Sequence, residues 1–289
     1  MAPEYYVFTG RDDEVIPRRV THVLIDKALK FVRARAFLMH PNIEEVICHA
    51  GIEKIESWTF HGCPRLKRVI MPGVKVVERG AFDCCTALIY IECGKLEIIG
   101  EQAFRFCESL SSIDLPSIRI VEGYAFDDCR HLTNVNFGKD LESIGRWAFT
   151  GCRSLERIAL PLKDGIISHD NTFQRCSKLN NVDLVGGVHE TIAAFLMEEW
   201  KDDAKGKIDS ISQILPNTPV GYRGVGGKAK AIRRWIRSVL RKYTHYEAEH
   251  RRCVNEAAAI LQSALPNDIL HKNILPFLEL PTHTFEGED

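Results

Sequence analysis

The sequence predicts a repeat solenoid: a parallel β-sheet whose strands alternate with short turns or 3₁₀ segments, followed by an α-helical hairpin. Three observations carry this. A phenylalanine recurs every 22 to 24 residues from Phe37 to Phe173. The apolar residues that follow each one pass from a spacing of three to a spacing of two. Beyond Leu184 the apolar residues recur instead at three or four, the period of a helix with one buried face.

The seven anchors are Phe37, Phe60, Phe82, Phe104, Phe126, Phe149 and Phe173. Three residues after the last six stand Cys63, Cys85, Cys107, Cys129, Cys152 and Cys176, and His40 takes that place in the first repeat. Further columns hold Leu (Ile43 in the first repeat), then Val or Ile from Val46 to Val182, then Cys48, Met71, Cys93, Leu115, Phe137, Leu160 and Leu184. A spacing of three suits a tight 3₁₀-like turn, and a spacing of two suits a strand buried on one face. One such unit cannot bury its own apolar side, so copies must stack. Val20, Val23 and Ile25 repeat the strand columns once more before the first Phe, which makes eight strands. The expected organisation is a cap over 1–19, a solenoid of seven to eight repeats over 20–185, a two-helix region over 186–265 with a linker at 216–227, and a proline-broken tail over 266–289.

The pattern I/V-x-x-x-x-A-F-x-x-C-x-x-L-x-x-I-x-L-P resembles the BspA-type leucine-rich repeat, from Val20 to Leu184. The first repeat departs from it at His40, and the last departs at PLKDGIISHDN, which lengthens the turn before Phe173. The resemblance implies a binding scaffold rather than an enzyme class. The tail, with LPNTP, GGKAKAIRRWIRSVLRK and HYEAEHRRCVNEAAA, is similar to that of multicopy leucine-rich-repeat proteins of diatoms, a likeness that implies kinship without a biochemical role.

Residues between the buried strand positions are expected to face outward. Eight after each Phe these are Glu45, Arg68, Tyr90, Ser112, Asn134, Arg157 and Asn181. Ten after, they are Ile47, Ile70, Glu92, Asp114, Asn136, Ala159 and Asp183. The strip runs from apolar to polar and acidic, and the two Ile side chains side by side on an outer face point to a contact with a protein partner.

After Gly186-Gly187 one helix is expected through Val188, Ile192, Leu196, Trp200, Ala204, Ile208, Ile211 and Leu215. A second runs from Lys228 to about Leu265, with a stripe that includes Ile232, Trp235, Ile236, Val239 and Tyr243. Residues 228–252 carry nine Lys or Arg against two Glu, while 187–215 carries three Lys against six acids. Complementary pairing of the two helices accounts for this bias. The alternative is a basic amphipathic helix for an acidic, calmodulin-like partner, with nucleic acid less favoured, in which Lys228, Lys230, Arg233, Arg234, Trp235, Arg237, Arg241 and Lys242 make the contacts.

Charge over the whole chain is balanced, 38 Lys and Arg against 39 Asp and Glu, so no global drive toward nucleic acid or membrane is expected. MAPEYYVFTGRDDEVIP has neither the basic nor the apolar region of a secretory signal, and no apolar run approaches a membrane span. An intracellular setting, cytoplasmic or nuclear, is the expectation, with the ten cysteines as thiols. The column cysteines read as small buried packing groups. Catalytic and cofactor motifs fail in detail. GYRGVGGKA lacks the opening Gly and closing Ser or Thr of a phosphate loop, and HETIA at His189 lacks the second His of a zinc helix. His245 and His250 are five apart, on different helix faces. A non-catalytic chain without cofactor or metal is therefore expected.

Overall fold

The computed structural model describes residues 3–211, 215, 227–262, 272 and 274–280. The chain coils as a parallel β-solenoid and then turns to helix. Its front sheet is built from one strand per coil. Tyr5–Phe8, His22–Ile25, Glu45–Ile47, Arg68–Ile70 and Tyr90–Glu92 pair in that order. Ser112–Leu115, Asn134–Phe137, Arg157–Pro161 and Asn181–Val185 follow as a second hydrogen-bonded set. The register places Val23, Val46, Val69 and Ile91 side by side. The expected strand columns therefore point into one core.

Two features differ from expectation. The segment Tyr5–Phe8, placed in a cap by the sequence pattern, is a ninth strand parallel to His22–Ile25, and Phe8 is fully buried. The front sheet is also not continuous, because no ladder joins Tyr90–Glu92 to Ser112–Leu115. Elsewhere the carbonyl at the strand entry, as in Glu44, Lys67 and Thr133, accepts amides from the next coil. Ile89 occupies that position at the break and is the one apolar residue there among the seven coils. Ile91 beside it is only half-buried.

A narrower back sheet of two-residue strands runs through Phe31–Val32, Lys54–Ile55, Val76–Val77, Ile98–Ile99, Ile120–Val121 and Ser143–Ile144. Its buried column is Val32, Ile55, Val77, Ile99, Val121 and Ile144. These stand five before each Phe, one residue closer than the repeat pattern places them. A further buried column, Ile52, Val74, Leu96, Ile118 and Leu141, lies in the connections and carries no strand period of its own.

The phenylalanines form a continuous spine. Rings from Phe37 to Phe173 stack in succession with centroids 4.9 to 5.7 Å apart and planes within 19° of parallel. Phe8 extends the spine at 4.9 Å with its ring tilted. The Phe-bearing segment also makes its own ladder between coils: Phe60 N–H donates to the Ala81 carbonyl at 2.7 Å and Phe82 N–H to that of Ala103 at 2.8 Å. Within a coil, Cys63 N–H reaches back to Phe60 and Leu66 N–H to Cys63, the three-residue turns that the spacing predicts. In the coils of Phe37 to Phe149 two residues interrupt them with positive φ, two before and two after the Phe, as at Trp58 (60°) and Gly62 (68°), or Gln102 (60°) and Phe106 (57°); the Phe173 coil keeps only the second, at Arg175 (63°). The left-handed region is costly for residues with a Cβ. It persists here because the amides at both positions donate to the neighbouring coil, as Gln102 does to Gly123 and Phe106 to Asp127. Close coil contact also demands glycine at Gly138, where a Cβ would stand 1.8 Å from the Pro116 carbonyl oxygen.

The cysteine column has a role beyond size. Each thiol donates to the carbonyl of the Phe one coil earlier: Cys63 to Phe37, Cys85 to Phe60, Cys107 to Phe82, Cys129 to Phe104, Cys152 to Phe126 and Cys176 to Phe149, at 3.0 to 3.3 Å. The thiol thus gives a second bond to a buried carbonyl that already accepts the amide three residues on, in a space too small for most polar side chains. In the first coil the His40 ring reaches the Pro17 carbonyl at 3.2 Å instead.

After Val185 the expected single helix is broken in two, α1 over Val188–Ala193 and α2 over Glu198–Asp209. Met197 is extended between them. No proline or glycine marks the break; instead Phe195 turns inward, fully buried, against Tyr243, Tyr246 and His250. Tertiary packing here overrides a continuous apolar period. Helix α3 spans Gly227–Gln262 and buries Ile232, Trp235, Ile236, Val239 and Tyr243. Trp235 Nε1 donates to the Lys207 carbonyl at 3.0 Å, Lys242 pairs with Asp203, and Trp200 stacks on Tyr246, so α2 and α3 run in opposite directions. The linker at 216–226 lies outside the described residues. A last turn, α4 over Leu275–Leu278, packs back on α3, with the Leu278 carbonyl 2.7 Å from His250 Nε2.

Candidate protein-binding face

Strand alternation and register together lay the outer residues of the front sheet in two rows. In the first five strands one row is Tyr5, His22, Glu45, Arg68 and Tyr90, and the other is Val7, Leu24, Ile47, Ile70 and Glu92. The first row is tied along its length. Tyr5 and His22 rings lie 5.0 Å apart, His22 Nε2 is 3.8 Å from Glu45, Arg68 Nε is 3.4 Å from Glu45, and the Arg68 guanidinium sits 5.1 Å over the Tyr90 ring. The second row sets four aliphatic side chains shoulder to shoulder. Val7 is 49 % exposed and Leu24, Ile47 and Ile70 are half-buried, so this ridge meets water rather than the core. Tyr5 and Val7 join the strip only because the N-terminal segment is a strand, which no repeat period announces.

The last four strands are different in chemistry. Their rows are Ser112, Asn134, Arg157 and Asn181, and Asp114, Asn136, Ala159 and Asp183. Asn136 donates to Asp114 at 2.6 Å and Arg157 lies 3.4 Å from Asp183. Ala159 was expected to face outward with its row but is only 7 % exposed. The change from aliphatic and aromatic to polar falls at the break in the sheet.

Helix α3 places its basic residues against the end of the solenoid. The Lys228 ammonium is buried and donates to the carbonyls of Ser177 and Leu179, which have no further coil to bond. Burial pushes its pKa down. Arg233 pairs with Asp170, and Arg237 Nε reaches Asp164 at 2.8 Å. Trp235 is 1 % exposed. Lys228 and Trp235 therefore leave the set of side chains offered to a partner, because the stripe that an acidic bundle would grip is already packed inside. Lys230, Arg234 and Arg241 remain exposed.

A buried charged cluster lies on the turns beside the spine, at the position one after each Phe. Asp83 has no exposed surface and takes a two-pronged bond from Arg105, at 2.9 and 2.8 Å. His61 Nδ1 stands 3.2 Å from Asp83, and the Cys84 thiol 3.5 Å from it. The ligand atoms of His61, Asp83 and Cys84 all lie within 4.8 Å of one another. Arg105 occupies both Asp83 oxygens and keeps a fixed positive charge there, which opposes a second cation. Burial and Asp83 push the Cys84 thiol up to about 11, so it is not an activated nucleophile, although it is less buried than its column neighbour Cys85. The cluster reads as a structural tie. One coil along, burial and the adjacent Asp128 hold the Asp127 carboxyl up at about 6. The run His61, Asp83, Arg105, Asp127 is visible in the sequence once residues are read by coil position. The column cysteines stay inert, since burial pushes the Cys152 thiol well above its ordinary range.

No helix among the described residues is long and apolar enough to cross a membrane. Six copies of the BspA type leucine rich repeat region match residues 30–118 and 97–199. Among solved structures, a leucine-rich repeat protein from Bacteroides ovatus superposes with a TM-score of 0.50 at 24 % identity, covering 64 % of this chain and 46 % of its own. A leucine-rich repeat protein of T. pallidum matches at 23 % identity and a TM-score of 0.47, over 61 % of this chain and 78 % of its own. An internalin from Listeria monocytogenes matches at 13 % identity and a TM-score of 0.32, over 58 % and 55 %. No curated protein matches the chain. The first likeness shows the fold, and this chain spans less than half the length of that protein. The repeat matches run from 30 to 199, more than half of the 289 residues, and with the stacked coils they show that the chain belongs to the BspA-type leucine-rich repeat family.

Proposed function

We propose that the chain is a non-catalytic scaffold that binds a protein partner on the front face of its solenoid, chiefly over the first five strands. The observation that carries this reading is the aliphatic row of exposed Val7 and half-buried Leu24, Ile47 and Ile70 on the outer face beside the Tyr5-to-Tyr90 row. A ridge of this kind costs solubility unless something covers it. Aromatic and Arg side chains alongside are the types that dominate binding energy at protein interfaces. The ten unbridged cysteines, nearly all buried, support a reducing, intracellular setting.

The helical alternative draws less support. An acidic partner gripping α3 by its apolar stripe would first have to strip Trp235, Ile236 and Tyr243 from the core. The test is a double charge substitution, Ile47→Arg with Ile70→Arg, compared with charge reversal of Lys230, Arg234 and Arg241, in affinity capture from cell extract. Loss of the captured partners in the first variant alone, with an unchanged melting temperature, is the expected result. Loss in the second alone would transfer the contact to α3.

A further inference from the structure

The spacing of the aliphatic row bears on the shape of a partner that would fit it. Val7, Leu24, Ile47 and Ile70 belong to four adjacent parallel strands and share one register position. Neighbouring strands stand ~4.8 Å apart, so the four side chains span roughly 14 Å along the solenoid axis. An α-helix laid along that axis presents a side chain on the same face every turn, at a pitch of ~5.4 Å. Three steps of helix cover roughly 16 Å, so four successive turns remain in step with four coils to within about 2 Å. An extended peptide repeats its same-face side chains every ~6.8 Å, and over three steps it drifts from the row by about 6 Å, more than one whole coil. Laid on the face of the sheet it would also pair no backbone, since the open strand edges of this set lie at its two ends, Tyr5–Phe8 and Tyr90–Glu92, and not on the face.

Charge sets the direction. The row ends at Glu92, whose exposed carboxylate makes no ion pair among the described residues, and the exposed Asp114 holds the same repeat position one coil on, across the break in the sheet. Unpaired N–H groups and the macrodipole make a helix N-terminus positive, so that end fits over Glu92 and Asp114 while the later turns run back toward Val7.

We propose that the front face binds an amphipathic α-helix of about four turns, with one large aliphatic residue per turn and its N-terminus at Glu92, lying along the solenoid axis. This rests on the front-face reading above and adds the partner's secondary structure, chemistry and polarity. The test uses the full chain against two displayed peptide libraries of equal length. One is of helix-forming 18-mers with the residues at one face randomised, and the other is of alternating, strand-forming 18-mers. Each selection is repeated against the Ile47→Arg, Ile70→Arg variant.

The expected result is enrichment from the helical library alone, of sequences with Leu, Ile or Met every three to four residues. The selected peptides should lose at least tenfold in affinity on the double variant, and severalfold on Glu92→Lys. Enrichment from the strand library alone, from both equally, or from neither would overturn the helix. So would helical binders that are indifferent to the double variant. The capture experiment above reads the face independently: partners lost from the double variant with no helical binder selected would leave the face standing and remove the helix.

Discussion

The solenoid and the helical end that follows it are held by opposite strategies. In the solenoid every contact is made six or seven times over: ring on ring, thiol to carbonyl, amide to the next coil. In the helical end each contact is made once: Lys228 to two orphan carbonyls, Trp235 to Lys207, Asp203 to both Lys242 and Tyr246. The first arrangement spreads stability along a line and depends on neighbours alone. The second concentrates it in a few side chains that close the open end of that line.

Substitutions should separate the two. The largest effects are expected at Phe104→Ala and Trp235→Ala, each costing about 3–5 kcal/mol. They should differ in where the loss appears. Hydrogen exchange should show Phe104→Ala weakening amides of the coils on both sides, and Trp235→Ala weakening α2 and α3 while the central coils keep their protection. Uniform loss in both would mean that the molecule melts as one unit and the contrast is false.

Next in size is Lys228→Met, which leaves the Ser177 and Leu179 carbonyls buried without a donor and should cost about 1–3 kcal/mol in urea melts. A stability gain would mean that desolvating the amine outweighs its bonds. Cys107→Ala comes lower, at about 1–2 kcal/mol, since it removes a small buried side chain and one thiol bond to Phe82. A cost equal to that of Phe104→Ala would show the thiol column, not the rings, to be the main tie.

Of similar size to the thiol loss is a pH dependence that belongs to the solenoid. The Asp127 carboxyl sits at about 6 in the fold against 3.8 for a free side chain. Its folded pKa is raised, so between those values the native state holds more protons than the unfolded one. Stability therefore falls as pH rises from about 4 to about 6 and stays lower above. After discounting for solvent screening the loss is about 1–2 kcal/mol, and Asp127→Asn should remove it, equalling the parent at pH 4 and exceeding it at pH 7. Parallel pH curves for the two proteins would refute the burial of that charge.

What was legible in the chain follows the same divide. Anything repeated announces itself: the Phe, Cys and Leu columns predicted the spine, the turns and the inward faces, and the outward strip followed by alternation. The strand at Tyr5–Phe8 was not legible, because the chain between it and His22–Ile25 carries neither the Phe nor the Cys of the repeat. Neither was the break after Tyr90–Glu92, which coincides with a single residue change at Ile89. The break between α1 and α2 was hidden as well, since an uninterrupted apolar period was overruled by Phe195 packing. The burial of Lys228 and Trp235 could not be read from a stripe of basic and apolar residues, because a stripe shows which side is greasy and not what lies against it.

The paired left-handed residues on either side of the phenylalanines from Phe37 to Phe149 carry one more consequence. A segment of that shape has little reason to exist by itself, since its backbone is unfavourable and its amides look outward for acceptors. It becomes stable only against a copy of itself already in place. Folding of this chain should then resemble the growth of a crystal from a seed: a slow first contact between adjoining coils, and afterwards rapid accretion in both directions.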